Sequence, residues 1–322
     1  MNGRIYSGLV NKSKMFTLAH LSDPHLGSMP VPKLRALANK RVFGYLSWRS
    51  HRKAIHDGPV LSTLTADLSA TRPDHVAVTG DITNIALPEE FTRARDWLHG
   101  LGDPSCVTVV PGNHDAYVNV PWELALGNWT PFMSGVRADL SAEETPPSST
   151  GDFPFVRLRG PLAIVGVSSA CPMPPLSAAG RVGAAQLAAL ADRLTELGQR
   201  NLFRVVLIHH PPYGGRAQRR KQLLDSAEFR AVIAEAGAEL VLHGHTHRSA
   251  LAKLPAPKGH VPVIGVPSAS ARPDIGKGHA RYHLYRIEAA DEGWRLAVEV
   301  RGIVDSLDRF VSEGHFTLAI RR

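Results

Sequence analysis

Five short apolar runs in this chain each stop at a cluster of Asp, His, Asn and Gly, and no other feature restricts the fold as much. Residues 16–22 run into Asp23-Pro24-His25, and residues 74–79 run into Gly80-Asp81. Residues 107–110 run into Pro111-Gly112-Asn113-His114-Asp115, 205–208 into His209-His210, and 239–242 into His243-Gly244-His245. Apolar stretches of this length, bounded by turn residues, read as buried strands. Residues 54–70, 88–100, 184–198 and 226–236 read as helices between them, with Pro88 suited to a first helical turn. Alternating strands and helices predict an α/β fold with a partly parallel sheet, in which ligands bind beyond the carboxyl ends of the strands. The five polar clusters are therefore expected to converge.

Further strands are expected at 161–168, 261–266, 281–288 and 295–301, the last two joined by a hairpin turn at Asp291-Glu292-Gly293. They lack intervening helices, which points to antiparallel pairing. Segments 26–53, 119–154 and 211–225 fit no regular layer and are expected to surround the mouth of a site. No internal repeat of fixed period is present.

The chain has 322 residues, 43% of them hydrophobic and 20% charged, an ordinary globular composition that one α/β core can absorb. Residues 1–14 carry Arg4, Lys12 and Lys14 but no apolar core or cleavage site of a secretory signal. They read as a disordered leader before a single domain over 15–322, with Met15 as an alternative start. No stretch approaches the roughly 20 apolar residues that cross a bilayer. The two cysteines, Cys106 and Cys171, exclude a disulfide framework and a zinc ribbon, and fit a reducing, cytoplasmic setting.

The polar clusters are ligand-like: Asp23-x-His25, Gly80-Asp81-x-x-Asn84, Gly112-Asn113-His114-Asp115, His209 and Gly244-His245-Thr246-His247. Carboxylate, imidazole and amide oxygen without thiolate suit a catalytic Mn, Fe or Zn ion better than a structural zinc. Gly80, Gly112 and Gly244 each precede a ligand-type residue, where a Cβ would obstruct a tight turn.

Any one of these blocks alone is a weak signal. Together, the order D-x-H, G-D, G-N-H-D, H and G-H-x-H resembles the calcineurin-like metallophosphoesterase superfamily over residues 16 to about 247. The blocks Asp23-Pro24-His25-Leu26 and Gly80-Asp81-x-x-Asn84 are similar to the bacterial branch that includes cyclic-nucleotide phosphodiesterases. The resemblance implies a four-layer α/β/β/α sandwich with mixed sheets holding two metal ions. It assigns one ion to Asp23, His25, Asp81 and His247, and the other to Asp81, Asn113, His209 and His245, so that Asp81 bridges them. Every family ligand is kept. Two cations about 3.5–4 Å apart can share a hydroxide and neutralise the phosphoryl oxygens that it attacks. His114 is then the candidate to assist the departing alkoxide, with Asp115 either orienting it or capping the turn. Asn84 either stabilises its turn or reaches substrate. His210 is read as a structural or supporting residue, and His243 as a buried, hydrogen-bonded one. His20, His51, His56, His75 and His99 are read as ordinary surface or core histidines.

Segment 31–56 carries Lys33, Arg35, Lys40, Arg41, Arg49, Arg52 and Lys53 with no Asp or Glu, nearly the whole net charge of +8. Leu34, Leu37, Ala38, Tyr45, Leu46 and Trp48 recur at near-helical spacing, but Arg41 and Arg52 share their arc, and Gly44 would allow a break. This basic helical insertion, placed at about 26–53, is open to three readings: a lid for an anionic substrate, contact with an anionic membrane surface at its inner face, or a protein-contact arm. Arg216, Arg219, Arg220 and Lys221 add charge in a later loop.

The leading function is therefore a dinuclear-metal phosphodiesterase acting on an anionic phosphorylated small molecule, of cyclic-nucleotide or nucleotide type, or on a lipid-linked phosphate. Phosphomonoesterase and nuclease chemistry on the same core are the enzymatic alternatives, although no nucleic-acid-binding module is evident. A membrane-peripheral or protein-binding scaffold is the alternative of another class. The C-terminal stretch 303–322 is expected to face a partner or to cover the core.

Overall fold

The computed structural model describes residues 15–27, 29–56, 58–135, 147–213, 219–273 and 278–321; the leader at 1–14 and Arg216 lie outside them. Twelve strands form two six-stranded mixed sheets. The first contains β1 (Phe16–Leu21), β2 (His75–Val78), β3 (Val107–Val109), β10 (Arg281–Ala290), β11 (Gly293–Ile303) and β12 (Phe310–Arg321), in the order β12-β11-β10-β1-β2-β3. The second contains β4 (Phe155–Arg159), β5 (Leu162–Gly166), β6 (Phe203–Leu207), β7 (Leu240–His243), β8 (Ala250–Ala256) and β9 (Gly259–Gly265), in the order β4-β5-β6-β7-β9-β8. The pairs β1–β2, β2–β3, β5–β6, β6–β7 and β7–β9 are parallel. Parallel pairs need crossovers: helices α3 (Gly58–Thr71), α4 (Pro88–Leu101), α6 (Ala184–Gln199) and α7 (Ser226–Ala236) supply four of them, and strand β8 connects β7 to β9. Shorter helices are α1 (Arg41–Ser47), α2 (Lys53–Ile55) and α5 (Thr130–Met133).

Strand alternation sorts the second sheet between two cores. Leu162, Ile164, Phe203, Val205, Leu207, Leu240 and Leu242 join the cluster of the first sheet, together with α3 and α4. Their neighbours Ala163, Val165, Val206 and Val241 turn the other way and pack with Leu190 and Leu194 of α6 and Phe229 and Ile233 of α7. Phe203 meets Trp294 of β11 edge to face across the two sheets, with ring centroids 5.6 Å apart. The result is the four-layer α/β/β/α sandwich.

The helices fall where the periodicity puts them, and the turn at 291–292 joins β10 and β11 through the Ala290–Gly293 pair. Strands β4, β8 and β12 escape the sequence reading, and all three are edge strands. Pro255 interrupts the pattern of β8, which an edge tolerates. In β4 the interruption is Arg157, which is fully buried and donates to the carbonyls of Val107, Phe132 and Pro104. β12 covers the core, burying Phe310 and Ile320.

Residues 34–55 form an arm: a 3-10 turn at Leu34–Leu37, α1, a π turn at Trp48–Arg52, and α2. Helix α1 runs through Gly44 without a break. A Cβ there would lie 2.6 Å from Ile85 Cγ2 and 2.9 Å from the Tyr117 ring, so glycine lets the helix rest against the body. Arg41 departs from the amphipathic pattern because its buried guanidinium donates to Ile85 O (2.9 Å) and Ala86 O (2.5 Å).

Candidate metal centre

The turns after β1, β2, β3, β6 and β7 meet at one end of the sandwich. Their backbone is unusual: Asp23, His25, Asp81, His245 and His247 all have positive φ, between 37° and 67°. Such conformations cost roughly 1–3 kcal/mol each and persist where the surroundings over-determine them. They make up half of the ten non-glycine residues of this kind among the described residues, so strain is concentrated at the site. Gly244 allows a close approach of turns. A Cβ on it would fall 1.8 Å from Ser22 Oγ and 2.4 Å from Asp23 Oδ2.

Two sets of ligand-type atoms result. His247 Nε2 lies 3.2 Å from Asp23 Oδ1 and 3.4 Å from His25 Nε2, which is 3.9 Å from Asp81 Oδ2. His209 Nε2 lies 3.3 Å from Asp81 Oδ2, 3.2 Å from Asn113 Oδ1 and 3.3 Å from His245 Nδ1. Asp81 Oδ2 belongs to both. All seven residues that the sequence nominates as ligands come together.

Outer hydrogen bonds turn the free atoms inward. His209 Nδ1 donates to Thr79 O (2.6 Å), His25 Nδ1 to Thr83 O (3.3 Å), and His245 Nε2 to Lys221 O (2.9 Å). Each tautomer so fixed leaves the other ring nitrogen as a lone-pair donor facing the centre. Asp23 Oδ2 accepts from His245 N and Asp81 Oδ1 from His114 N, while Asp23 Oδ1 is buried and accepts no hydrogen bond. Inward lone pairs and an orphaned carboxylate oxygen fit cations held by nitrogen and oxygen.

The electrostatics agree. Burial opposes charge on His209, but the carboxylates of Asp81 and Asp23 raise its pKa to about 9. Burial opposes charge on Asp81 too, yet His209 and His114 lower its pKa to about 2. Two buried carboxylates thus demand positive charge between them.

His114 lines the cavity but points its Nδ1 at Asn84 O, 2.6 Å away. Burial, and then Arg52, lower its pKa to about 4, which keeps the ring neutral at neutral pH. Asp115 does not contact the His114 ring through any hydrogen bond. Its carboxylate accepts from the backbone of Gly112, Asp81, Ile82 and Thr83 and from Thr83 Oγ1, clamping two turns together. Burial and the neighbouring Asp81 carboxylate push its pKa up to about 7. Asn84 donates to Leu26 O and stabilises its turn. His210 is buried between Ser169 Oγ and Ala178 O, and His243 bonds Tyr213 OH.

Two neighbours of the centre go beyond the sequence reading, which has His56 as an ordinary histidine and Arg52 only as one cation of a possible lid. His56 packs its ring 4.5 Å from that of His25, with Nδ1 2.7 Å from Ser270 Oγ, and Arg52 reaches His114. Both come from the end of the arm, where no local motif marks them. Above the centre opens a cavity of about 330 Å³, lined also by Lys40, Phe43, Tyr117 and Leu176.

The sequence of residues 16–249 matches the model of the family described as calcineurin-like phosphoesterase, and the chain belongs to that family. It is a phosphoric ester hydrolase of the metallophosphoesterase type. A probable cyclic nucleotide phosphodiesterase of a Synechococcus species is 27% identical over 290 residues, covering 88% of this chain and 91% of that one. The glycerophosphodiester phosphodiesterase GpdQ of Enterobacter lignolyticus is 35% identical over 98 residues, 30% of this chain and 29% of that one. Among solved structures, a dimetal phosphatase from Danio rerio shares the fold, with a TM-score of 0.59 and 15% identity over 92% of this chain and 98% of that one. No helix among the described residues is long and apolar enough to cross a membrane.

Proposed function

We propose that the chain is a dinuclear-metal phosphodiesterase, with one ion held by Asp23, His25, Asp81 and His247 and the other by Asp81, Asn113, His209 and His245. The observation that carries this reading is Asp81 Oδ2, within 3.9 Å of His25 Nε2 and 3.3 Å of His209 Nε2, common to both sets. Ions bound there supply water activation near neutral pH and neutralisation of phosphoryl charge. Mn, Fe and Zn all suit these donors. Thr79, Thr83 and Lys221 hold the imidazoles in register through their carbonyls, and Asp115 holds the turns. His114 serves the leaving-group side, close to Asp81 and inside the cavity. Residues 15–322 act as one domain.

Diester preference draws support from the two relatives named for phosphodiesters. The test is metal-free protein reloaded with Mn²⁺ and assayed on a chromogenic diester and the matching monoester, with Asp81→Ala as control. Diesterase activity absent from the variant supports the reading; equal activity in both proteins, or monoester preference, sinks it.

A second reading concerns where the enzyme works. Val31, Leu34, Phe43 and Leu46 of the arm region and Leu176 of the cavity rim are exposed, amid Lys33, Arg35, Arg49 and Lys53. An apolar, cationic rim fits a peripheral approach to an anionic lipid surface from the cytoplasm, and a lipid-linked phosphate as substrate. Co-sedimentation with anionic liposomes should fall when Val31, Leu34, Phe43 and Leu46 are all changed to Ser; equal partitioning would dispose of it.

A further inference from the structure

Arg52, half-buried at the cavity, differs from four other arginines of low exposure. Arg204 pairs with Glu239 at 2.7 Å and Arg301 with Asp67 at 2.7 Å. Arg41 and Arg157 spend their donors on backbone carbonyls. Arg52 has neither kind of partner. Its Nη1 lies 3.0 Å from both Nδ1 and Nε2 of His114, whose Nδ1 already donates to Asn84 O. The guanidinium can therefore donate only to the Nε2 lone pair.

A half-buried guanidinium that bonds no carboxylate and no carbonyl among the described residues has N–H donors to offer an incoming anion. The cavity supplies the place, since Arg52 lines it with Asp81, Asn113, His25 and His247. Lys40, the arm's other cation in the cavity, is engaged: its Nζ donates to Met173 O and lies 4.8 Å from the Tyr117 ring centroid. A guanidinium fork also matches phosphoryl oxygens better than an ammonium does.

We propose that Arg52 is a catalytic residue that leaves His114 Nε2 and donates its N–H groups to the non-bridging oxygens of the substrate's phosphoryl group. The inference rests on the phosphoesterase reading of the site. In the hydrolysis a water oxygen bonds to phosphorus, the ester P–O bond breaks, and the departing oxygen ends with the proton that water gave up. Arg52 keeps all its protons and neutralises charge as it gathers on the phosphoryl oxygens. Its departure from His114 also exposes Nε2 beside the leaving group.

The experiment compares wild type, Arg52→Ala, Arg52→Lys and Arg200→Ala, each loaded with Mn²⁺. Four quantities are read: kcat and KM on the chromogenic diester, bound metal, calorimetric affinity for inorganic phosphate, and recovery with added guanidinium ion. Removing one such donor typically costs about 10²–10³-fold in kcat, and that loss is expected for Arg52→Ala. Metal content should stay at the wild-type level, phosphate should bind more weakly, guanidinium should restore part of kcat, and Arg52→Lys should recover little. Arg200 is exposed at the end of α6, and Arg200→Ala should match wild type. An Arg52→Ala variant with wild-type kcat and phosphate affinity would overturn the proposal. So would one that loses metal with its activity and gains nothing from guanidinium, because Arg52 would then only support the centre. If metal-loaded wild type cleaves neither ester, the phosphoesterase reading fails first. The phosphate titration then decides Arg52 alone, with unchanged affinity in Arg52→Ala against the proposal and lost affinity for it.

Discussion

The strand-end turns and the arm at 34–55 face each other across one cavity, and they are held in opposite ways. The turns are over-determined: strained residues, close glycine packing and a carboxylate with five donors fix each ligand-type atom. The arm rests on few attachments, chiefly Arg41 on two carbonyls, Gly44 against Ile85 and Tyr117, and the backbone bond from Arg272 N to Ile55 O. Chemistry that tolerates little displacement is carried by the first region. The second brings Lys40, Phe43 and Arg52 to the cavity and can vary without touching the core.

That contrast predicts a graded response to mutation. Asp115→Ala should have the largest effect on stability. It strips the partner from four backbone N–H groups and the Thr83 hydroxyl, and each buried donor left unsatisfied costs about 1–3 kcal/mol. Chemical denaturation should show the loss, and metal affinity should fall with it. A midpoint close to wild type would mean that the turns hold themselves without the clamp.

Gly244→Ala comes next. Its Cβ would overlap Ser22 and Asp23, and overpacking of this kind costs roughly 1–3 kcal/mol. Because Asp23 Oδ2 accepts from His245 N, the strain should appear as weaker metal binding as much as in the denaturation midpoint. Unchanged metal affinity would break the link between turn packing and ligand placement.

How much of this was legible in the sequence follows the same division. The ligand-type residues could be read because each follows a strand in the local chain, and a parallel sheet sends successive strand ends to one side. The glycines beside them were legible as close approaches for the same reason. Arg52 and His56 were not, since only the docking of a helix whose pattern is imperfect brings them to the centre. Arg41 looked like a flaw in an amphipathic stripe, yet it is the arm's anchor, and its carbonyl partners are 44 and 45 residues away. The edge strands were lost to Arg157 and Pro255, whose roles depend on which neighbours a strand has and lacks. Local order placed the ligand-type residues, whereas tertiary packing placed the arm.

Arg41→Met sharpens the comparison from the arm's side. The substitution keeps the buried bulk but leaves the Ile85 and Ala86 carbonyls without their donor, at a cost of about 1–3 kcal/mol. Released arm residues, Arg52 among them, should lower kcat and raise KM while bound metal stays at the wild-type level, because the turns hold the ligands without them. A loss of metal would show that the arm supports the centre and that the two regions are not separable.

The smallest effect is expected for Phe43→Ser. Phe43 is 52% exposed on the arm and lines the cavity, so its side chain gives little to the folded state, and stability should change by about 0.5 kcal/mol or less. Function should respond more than folding. A diester with an apolar leaving group loses a contact surface at the rim, so its KM should rise by a few-fold, on the order of the 10-fold that a lost apolar contact brings at its lower limit. The turnover number should hold, since Phe43 is absent from the polar contacts around Asp81 and His209. Running the same variant on a small polar diester separates the two outcomes. If KM rises only for the apolar substrate, the arm selects what the turns cleave. If kcat falls equally for both substrates, the rim is part of the catalytic apparatus and the division between the two regions fails.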